Sequence, residues 1–411
     1  LKKIIIILAL FFVTILQPIQ PKAAETLQSS MTKDINKYLG KNRSLVTLKY
    51  RNLATGETLS ISSSKTARAA STIKLPLALY IVELADQHKI NLSEKLTYQK
   101  RHYYGGSGVI QKAKVGTRYT IKDLLQKAMV HSDNIAFIML REKVGKQNFI
   151  KYMKSIGGTN AYPNNQNLTS PDDLIIYTGR LYKLAETSSL AQQLVEWLKH
   201  TDYNTTIPKG IPGVQTAHKV GMIPDEKIYN DTGIVYQQMP YALSIMTRSF
   251  SYEKSQKVIA DLAAIINKYH VKANSGTAFT SSKNMAIYKN NKGTFSKIGE
   301  LNKGELFSYS KNYNPYYYEI LSGGEKVYIK KIGIFMKQGA STKAVSERVL
   351  GKISLLGNTP VSALVSGKMV NLGSLAKGQT FAYVGKDDKL GYSVLLGGRV
   401  GYIPLNLAKK F

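Results

Sequence analysis

Ser71 stands three residues before Lys74, at the head of the apolar run Leu75-Pro76-Leu77-Ala78-Leu79-Tyr80. A serine hydroxyl is a poor nucleophile until a neighbouring base takes its proton. A lysine can be that base when burial or a nearby cation lowers its pKa. On a helix, positions i and i+3 share a face, so this spacing brings the Lys74 amine beside the Ser71 oxygen. The unpaired N–H groups at a helix start also favour an oxyanion developing on a carbonyl under attack. Taken alone, the pair also fits an N-cap serine followed by a solvated lysine. Two other polar clusters lie downstream, His131-Ser132-Asp133-Asn134 and His218-Lys219-Val220-Gly221-Met222. The histidines, His88, His102, His131, His200, His218 and His270, have no metal-ligand spacing, so a metallo-hydrolase is rejected and no metal or cofactor is expected.

These residues need elements to hold them. Leu27, Met31, Ile35 and Leu39 have helical spacing that Gly40 stops. Leu45 to Tyr50 alternates as a strand, and the turn Asn52 to Glu57 returns it as Thr58 to Ile61, a hairpin. Ser71 opens the next helix. Between Thr120 and Val144, Ile121, Leu124, Leu125, Ala128 and Met129, then Ile135, Phe137, Ile138 and Leu140, predict two helices that meet at Ser132-Asp133-Asn134. Four polar residues between buried helices predict a loop facing a cleft, although Ser132 and Asp133 also suit helix capping. A polar loop from Gly157 leads to a helix starting at Ser170-Pro171-Asp172-Asp173, and Trp197 reads as core. Val214–Met222, Thr232–Gln237 and Tyr241–Arg248 read as strands, and Tyr252 to His270 as an amphipathic helix covering their sheet. The order predicts an α+β architecture with a helical subdomain.

At 411 residues the chain has room for two or three domains. Residues 1–24 are expected to be a signal peptide. Lys2 and Lys3 precede the apolar run Ile4 to Leu16, too short for an ordinary spanning helix, and cleavage is expected near Ala24 with an uncleaved anchor as the alternative. Cysteine is absent, which excludes disulfides and attachment of lipid through Cys. Lys plus Arg number 57 against 26 Asp plus Glu, a formal charge of +31. Such a field suits polyanions or anionic lipid, and equally a generally basic surface. With export expected and no helix carrying clustered Arg, nucleic acid is not an expected partner.

Beyond Lys272 the chain turns to strands, Gly and Tyr, and repeats itself at a fixed offset of 74 residues. Gly299, Leu301, Lys303, Gly304, Phe307 and Tyr309 match Gly373, Leu375, Lys377, Gly378, Phe381 and Tyr383. Tyr318, Leu321, Gly323, Gly324, Tyr328 and Ile329 match Tyr392, Leu395, Gly397, Gly398, Tyr402 and Ile403. A duplicated all-β unit is expected, over residues 274–338 and 339–411. Each copy resembles bacterial SH3-like modules, which implies two small barrels that hold an exported enzyme on peptidoglycan. Its Tyr and Phe read first as barrel core.

The trio Ser71-Thr72-Ile73-Lys74, Ser132-Asp133-Asn134 and Lys219-Val220-Gly221 is similar to that of class A β-lactamases and penicillin-binding proteins, where the last motif is Lys-Thr-Gly. Gly106-Ser107-Gly108, the Asn230 to Val235 strand and the opening order of elements extend the resemblance over about Thr26 to His270, a domain expected at residues 25–273. It implies a β-lactamase-like antiparallel sheet flanked by helices. It also implies an active-serine hydrolase that acts on a β-lactam or a peptidoglycan peptide amide; together with the expected signal segment and SH3-like repeats, the reading is an exported, wall-associated enzyme, expected to be a monomer. Ser71 would form the acyl-enzyme and Lys74 act as base, its pKa depressed by desolvation and by Lys219. Ser132 would relay the proton and Asn134 bind the substrate amide. Lys219 would attract the substrate carboxylate, and the N–H groups of Ser71 and Met222, after Gly221, would form the oxyanion hole.

Two positions depart from the family pattern. No carboxylate lies between Gly157 and Pro171, where the family's β-lactamases carry the glutamate that activates deacylating water. Asn and Gln can orient a water but cannot take its proton, so slow turnover is expected. Val220 replaces a hydroxyl that helps bind the substrate carboxylate, which is expected to weaken or change recognition. The alternative reading is a penicillin-binding or wall-binding protein with little or no turnover.

Overall fold

The computed structural model describes residues 27–411 apart from 321, 323, 324, 341 and 343–347. The expected signal peptide lies outside the described residues. Helix α1 (Leu27–Leu39) leads into the hairpin β1 (Val46–Asn52) and β2 (Thr58–Ile61). The helical subdomain follows: α2 (Lys74–Asp86), α3 (Ile121–Val130), α4 (Asn134–Val144), α5 (Lys146–Ser155), α6 (Pro171–Leu184) and α7 (Ser189–Lys199). Strands β3 (Thr216–Ile223), β4 (Ile228–Val235) and β5 (Tyr241–Arg248) then complete an antiparallel sheet in the order β2-β1-β5-β4-β3. The long helix α8 (Tyr252–Ala273) returns across it.

Strand alternation divides the core between the two faces of this sheet. Leu243 and Ile245 of β5 pack with Met31, Ile35, Ile259 and Leu262 of α1 and α8. Ile234 and Met246 face the other way, into the cluster of α2, α3 and α7 that includes Leu77, Leu125, Leu194 and Trp197. Trp197 is core, as its apolar setting predicts. The observed strands differ from expectation mainly at β4, which begins at Ile228 because its residues Ile228 to Tyr229 pair with Met222 to Ile223 across the turn.

The region after α8 is all-β. The repeat is structural as well as sequential: 278–281 pairs with 307–312 and 334–336, and 351–355 pairs with 380–383 and 408–410. The two copies are joined rather than independent. Equivalent strands β6 (Thr294–Leu301) and β7 (Lys368–Leu375) pair antiparallel, so both copies contribute to one twelve-stranded sheet. They also share one core, with Ile287 and Phe307 clustered with Val361 and Phe381. No closed barrel forms among the described residues. The pairing is self-complementary: Gly299 faces Leu375, Leu301 faces Gly373, and Glu300 faces its own equivalent, Ser374. Gly299 and Gly373 are glycines because a Cβ there would meet the Ser374 and Glu300 carbonyl oxygens at 2.3 and 2.0 Å.

Candidate active site

Ala70 to Ile73 form a 3-10 turn that runs directly into α2, with Ala70 in the left-handed region at φ 49°. Such a backbone is costly for alanine and persists only where its surroundings enforce it. The enforcement is visible. Ala69 N donates to Asn167 O at 3.0 Å, and Asn167 Nδ2 to Ala70 O at 3.2 Å. The turn presents Ser71 to a cleft of about 800 Å³ that is also lined by Lys74, Ser132, Asn134 and Val220.

The Lys74 Nζ lies 2.8 Å from Ser71 Oγ, 2.5 Å from Ser132 O and 2.8 Å from Asn134 Oδ1. Lys74 is buried, and desolvation, reinforced by Lys219 and opposed by Asp133, holds its pKa well below the ordinary lysine value. A neutral amine has two N–H groups for the two carbonyl acceptors and one lone pair. That lone pair is left for the Ser71 hydroxyl, the arrangement a general base requires. Ser132, in the left-handed region at φ 51°, sits 3.3 Å from Lys74 and accepts from Lys219 Nζ at 2.9 Å. Both motif lysines therefore converge on Ser132. Burial, opposed by Asp231, pushes Lys219 down to about 7.

Asp133, not Ser132, caps α4, accepting from Ala136 N at 2.9 Å. It also accepts from Val109 N and Ile110 N at 2.7 and 2.8 Å, which ties the Gly-rich 105–108 loop to the 131–134 loop. Asn134 is held at both ends, by Lys74 and by its own donation to Gly105 O at 2.9 Å. β3 is an edge strand, and Gly221 brings it against the Ser71 turn. A Cβ at Gly221 would fall 2.7 Å from Ala69 O and 3.0 Å from Ser71 N. Met222, the next residue, lines the cleft.

Residues outside the three motifs also shape the site. Tyr203, from an irregular segment, lines the cleft with Lys219 Nζ 5.8 Å from its ring centroid. His218 and Asp231 form a fully buried pair at 2.9 Å beside Lys219. Asp173 closes the 159–170 loop by accepting from Thr159 N and Asn160 N, at 3.0 and 2.8 Å. Asp172 pairs with Lys49 at 3.2 Å. Neither carboxylate therefore reaches the cleft, and the segment lines it instead with Tyr162 and Asn167. Among the described residues no group of His, Cys, Asp and Glu could hold a metal ion.

A sequence model of the beta-lactamase enzyme family matches residues 30–270, more than half of the chain. The chain belongs to this family. Beta-lactamase SME-1 of Serratia marcescens is 26% identical over 234 residues, covering 51% of this chain and 79% of that relative. The family fold recurs in PBP-A, seen as an acyl-enzyme complex of a mutant with penicillin G, at TM-score 0.55 and 22% identity, over 59% of this chain and 97% of that one. A beta-lactamase from Sphaerobacter thermophilus superposes at TM-score 0.51 and 20% identity, over 60% and 96%. The match covers the sheet and the helical subdomain and stops short of the duplicated β region.

Proposed function

We propose that this chain is an active-serine hydrolase that is acylated at Ser71 by β-lactams or by peptide amides of peptidoglycan type, and that deacylates slowly. The observation that carries the reading is the Ser71 Oγ–Lys74 Nζ contact of 2.8 Å to a buried lysine of lowered pKa. In the first step Ser71 gives its proton to Lys74 as Oγ attacks the carbonyl carbon. The oxyanion collapses, and the proton passes through Ser132 to the leaving nitrogen. Lys219 draws the substrate carboxylate, and the Ser71 and Met222 N–H groups receive the oxyanion. Asn134 binds the substrate amide, for which it must exchange one of its present contacts.

The cleft lining supports slow deacylation. Asp225, from the turn after β3, is the one acidic residue among the described lining residues, and none comes from 157–171. Asn167 Oδ1 can orient a water but has no basicity to activate it. The relatives named for β-lactamase activity and penicillin G acylation support the substrate class.

The test is intact mass over time after mixing the protein with benzylpenicillin, beside Ser71→Ala. A serine-dependent adduct lasting hours is expected. Decay within seconds would mean an efficient β-lactamase, and no adduct would remove the acylation reading.

The chain is also proposed to be exported and retained at the cell wall by its duplicated β region, acting as a monomer. The positive charge of +31 supports wall association through anionic polymers. Wall pelleting that persists at high salt and is lost on truncation after Lys272 supports specific retention; loss with salt alone assigns it to charge.

A further inference from the structure

The cleft continues well past the reacting groups. Helix α4 buries Ile135, Ala136, Met139, Leu140 and Val144 and exposes Glu142 and Lys143, while Asn134, Phe137, Ile138 and Arg141 are half-buried and line the cleft. These are positions i, i+3, i+4 and i+7, one face of one helix. Starting from Lys219, the groups run through Ser132, Lys74 and Asn134, and Arg141 lies a further ~10 Å along the helix axis. The guanidinium rests over the Phe137 ring, 5.1 Å from its centroid, which keeps it on the cleft face.

Among the described residues Arg141 has no carboxylate partner, whereas Arg68, the other arginine lining the cleft, binds Glu226 at 2.9 Å. Tyr162 lines the same cleft. It is 5% exposed, has a left-handed backbone at φ 50°, and its buried hydroxyl donates to no acceptor among the described residues. Burial raises its phenol above the ordinary value, and the charge of Arg141 and its hydrogen bonding to the phenol oxygen oppose the rise. The phenol is thus a neutral donor. The Lys146 ammonium stands over its ring, 5.5 Å from the centroid. An unused buried donor and an arginine with no acid, next to a second cation, form a site that lacks an anion.

We propose that Arg141 and Tyr162 form a subsite for a carboxylate carried on the acyl portion of the substrate, at the end of the cleft remote from Lys219. The proposal rests on the acylation of Ser71 argued above. A planar carboxylate fits the guanidinium fork and leaves an oxygen for the phenol. A neutral amide or sugar could use the Tyr162 hydroxyl but would leave the arginine charge unmatched. Acyl-side recognition would then select substrates with a negative group at each end, one for Lys219 and one for Arg141.

Benzylpenicillin and α-carboxybenzylpenicillin differ by one carboxylate on the acyl side chain. Two readouts apply: the rate of Ser71 adduct formation at subsaturating ligand, and equilibrium binding to the non-reacting Ser71→Ala protein. The carboxylated ligand is expected to be favoured roughly tenfold in both, the scale of one charge-assisted contact. Arg141→Ala should abolish the preference, Arg141→Lys and Tyr162→Phe should each retain part of it, and Lys183→Ala, on the surface of α6, should keep it. Equal binding of the two ligands, a preference surviving Arg141→Ala, or one lost equally in Lys183→Ala would overturn the subsite. Absence of a serine adduct with either ligand would refute the acylation reading instead, while the Ser71→Ala binding ratio still decides the subsite.

Discussion

Lys74 can take the Ser71 proton only when neutral, and Lys219 can attract a carboxylate only when charged. Desolvation lowers both, Lys74 well below its ordinary value and Lys219 to about 7. Acylation by a carboxylate-bearing substrate is therefore expected to rise as Lys74 deprotonates on the acid side. It should decline as pH passes above about 7 and Lys219 loses its charge. Lys219→Ala removes a cation that lowers Lys74, so Lys74 keeps its proton to higher pH. The expected outcome is an acid limb displaced upward, no decline near neutrality, and a rate reduced by on the order of a hundredfold. The pH dependence of adduct formation checks this; an unmoved acid limb would mean the two lysines are not coupled.

At the scale of elements, the site depends on one carboxylate and one missing side chain. Asp133 caps α4 and receives two backbone N–H groups of the 105–110 loop. Asp133→Ala leaves those donors buried without an acceptor, and the expected loss is about 3 kcal/mol in thermal or urea unfolding. Adduct formation should fall as well, because Ser132 and Asn134 flank the substituted position. Gly221→Ala acts differently. Its methyl must displace β3 from the Ser71 turn, since Ala69 O is fixed backbone at 2.7 Å from the added atom. Acylation should fall on the order of a hundredfold, as when an oxyanion donor is lost, with little change in melting temperature if the strand shifts as a unit. Wild-type acylation in Gly221→Ala would exclude the close strand approach as a requirement.

Across the whole molecule, the β region is docked on the catalytic domain rather than strung behind it. Tyr182 donates to Pro315 O at 2.8 Å and Gly333 N to Ala54 O at 2.8 Å. Tyr318 and Lys331 both donate to Gln238 O, at 2.9 and 3.0 Å. Lys331 is buried with no carboxylate partner among the described residues, and desolvation pushes its pKa down to about 7. The unfolded chain therefore holds this proton up to about 10.4. Burial of the lysine costs most below about 7, and stability rises with pH between the two values. Lys331→Met keeps Gln238 O satisfied through Tyr318, and is expected to stabilise the protein at neutral pH by about 1–2 kcal/mol. It should also flatten this part of the pH–stability curve. Melting curves from pH 6 to 10 check both effects.

Local chemistry in the sequence determined a good deal. Ser71 and Lys74 meet because one turn of helix puts i and i+3 on one face, and Ser132 falls in a loop because polar residues interrupt two apolar periodicities. The helices, the five-stranded sheet and the duplication were legible for the same reason, since each is written in spacing or in repeat. What lies across the cleft was not. Tyr162, Asn167 and Tyr203 come from irregular segments without periodicity, and tertiary contacts such as the loop closure by Asp173 and the ties from Asn167 to Ala69 and Ala70 bring the first two to Ser71. The lowered pKa values come from burial by distant elements, which local sequence does not encode. Nor could the repeat alone show that its copies join along one strand. That join depends on Gly299 lying against the Ser374 carbonyl and Gly373 against the Glu300 carbonyl of the opposite copy, a relation that exists only once the chain has folded.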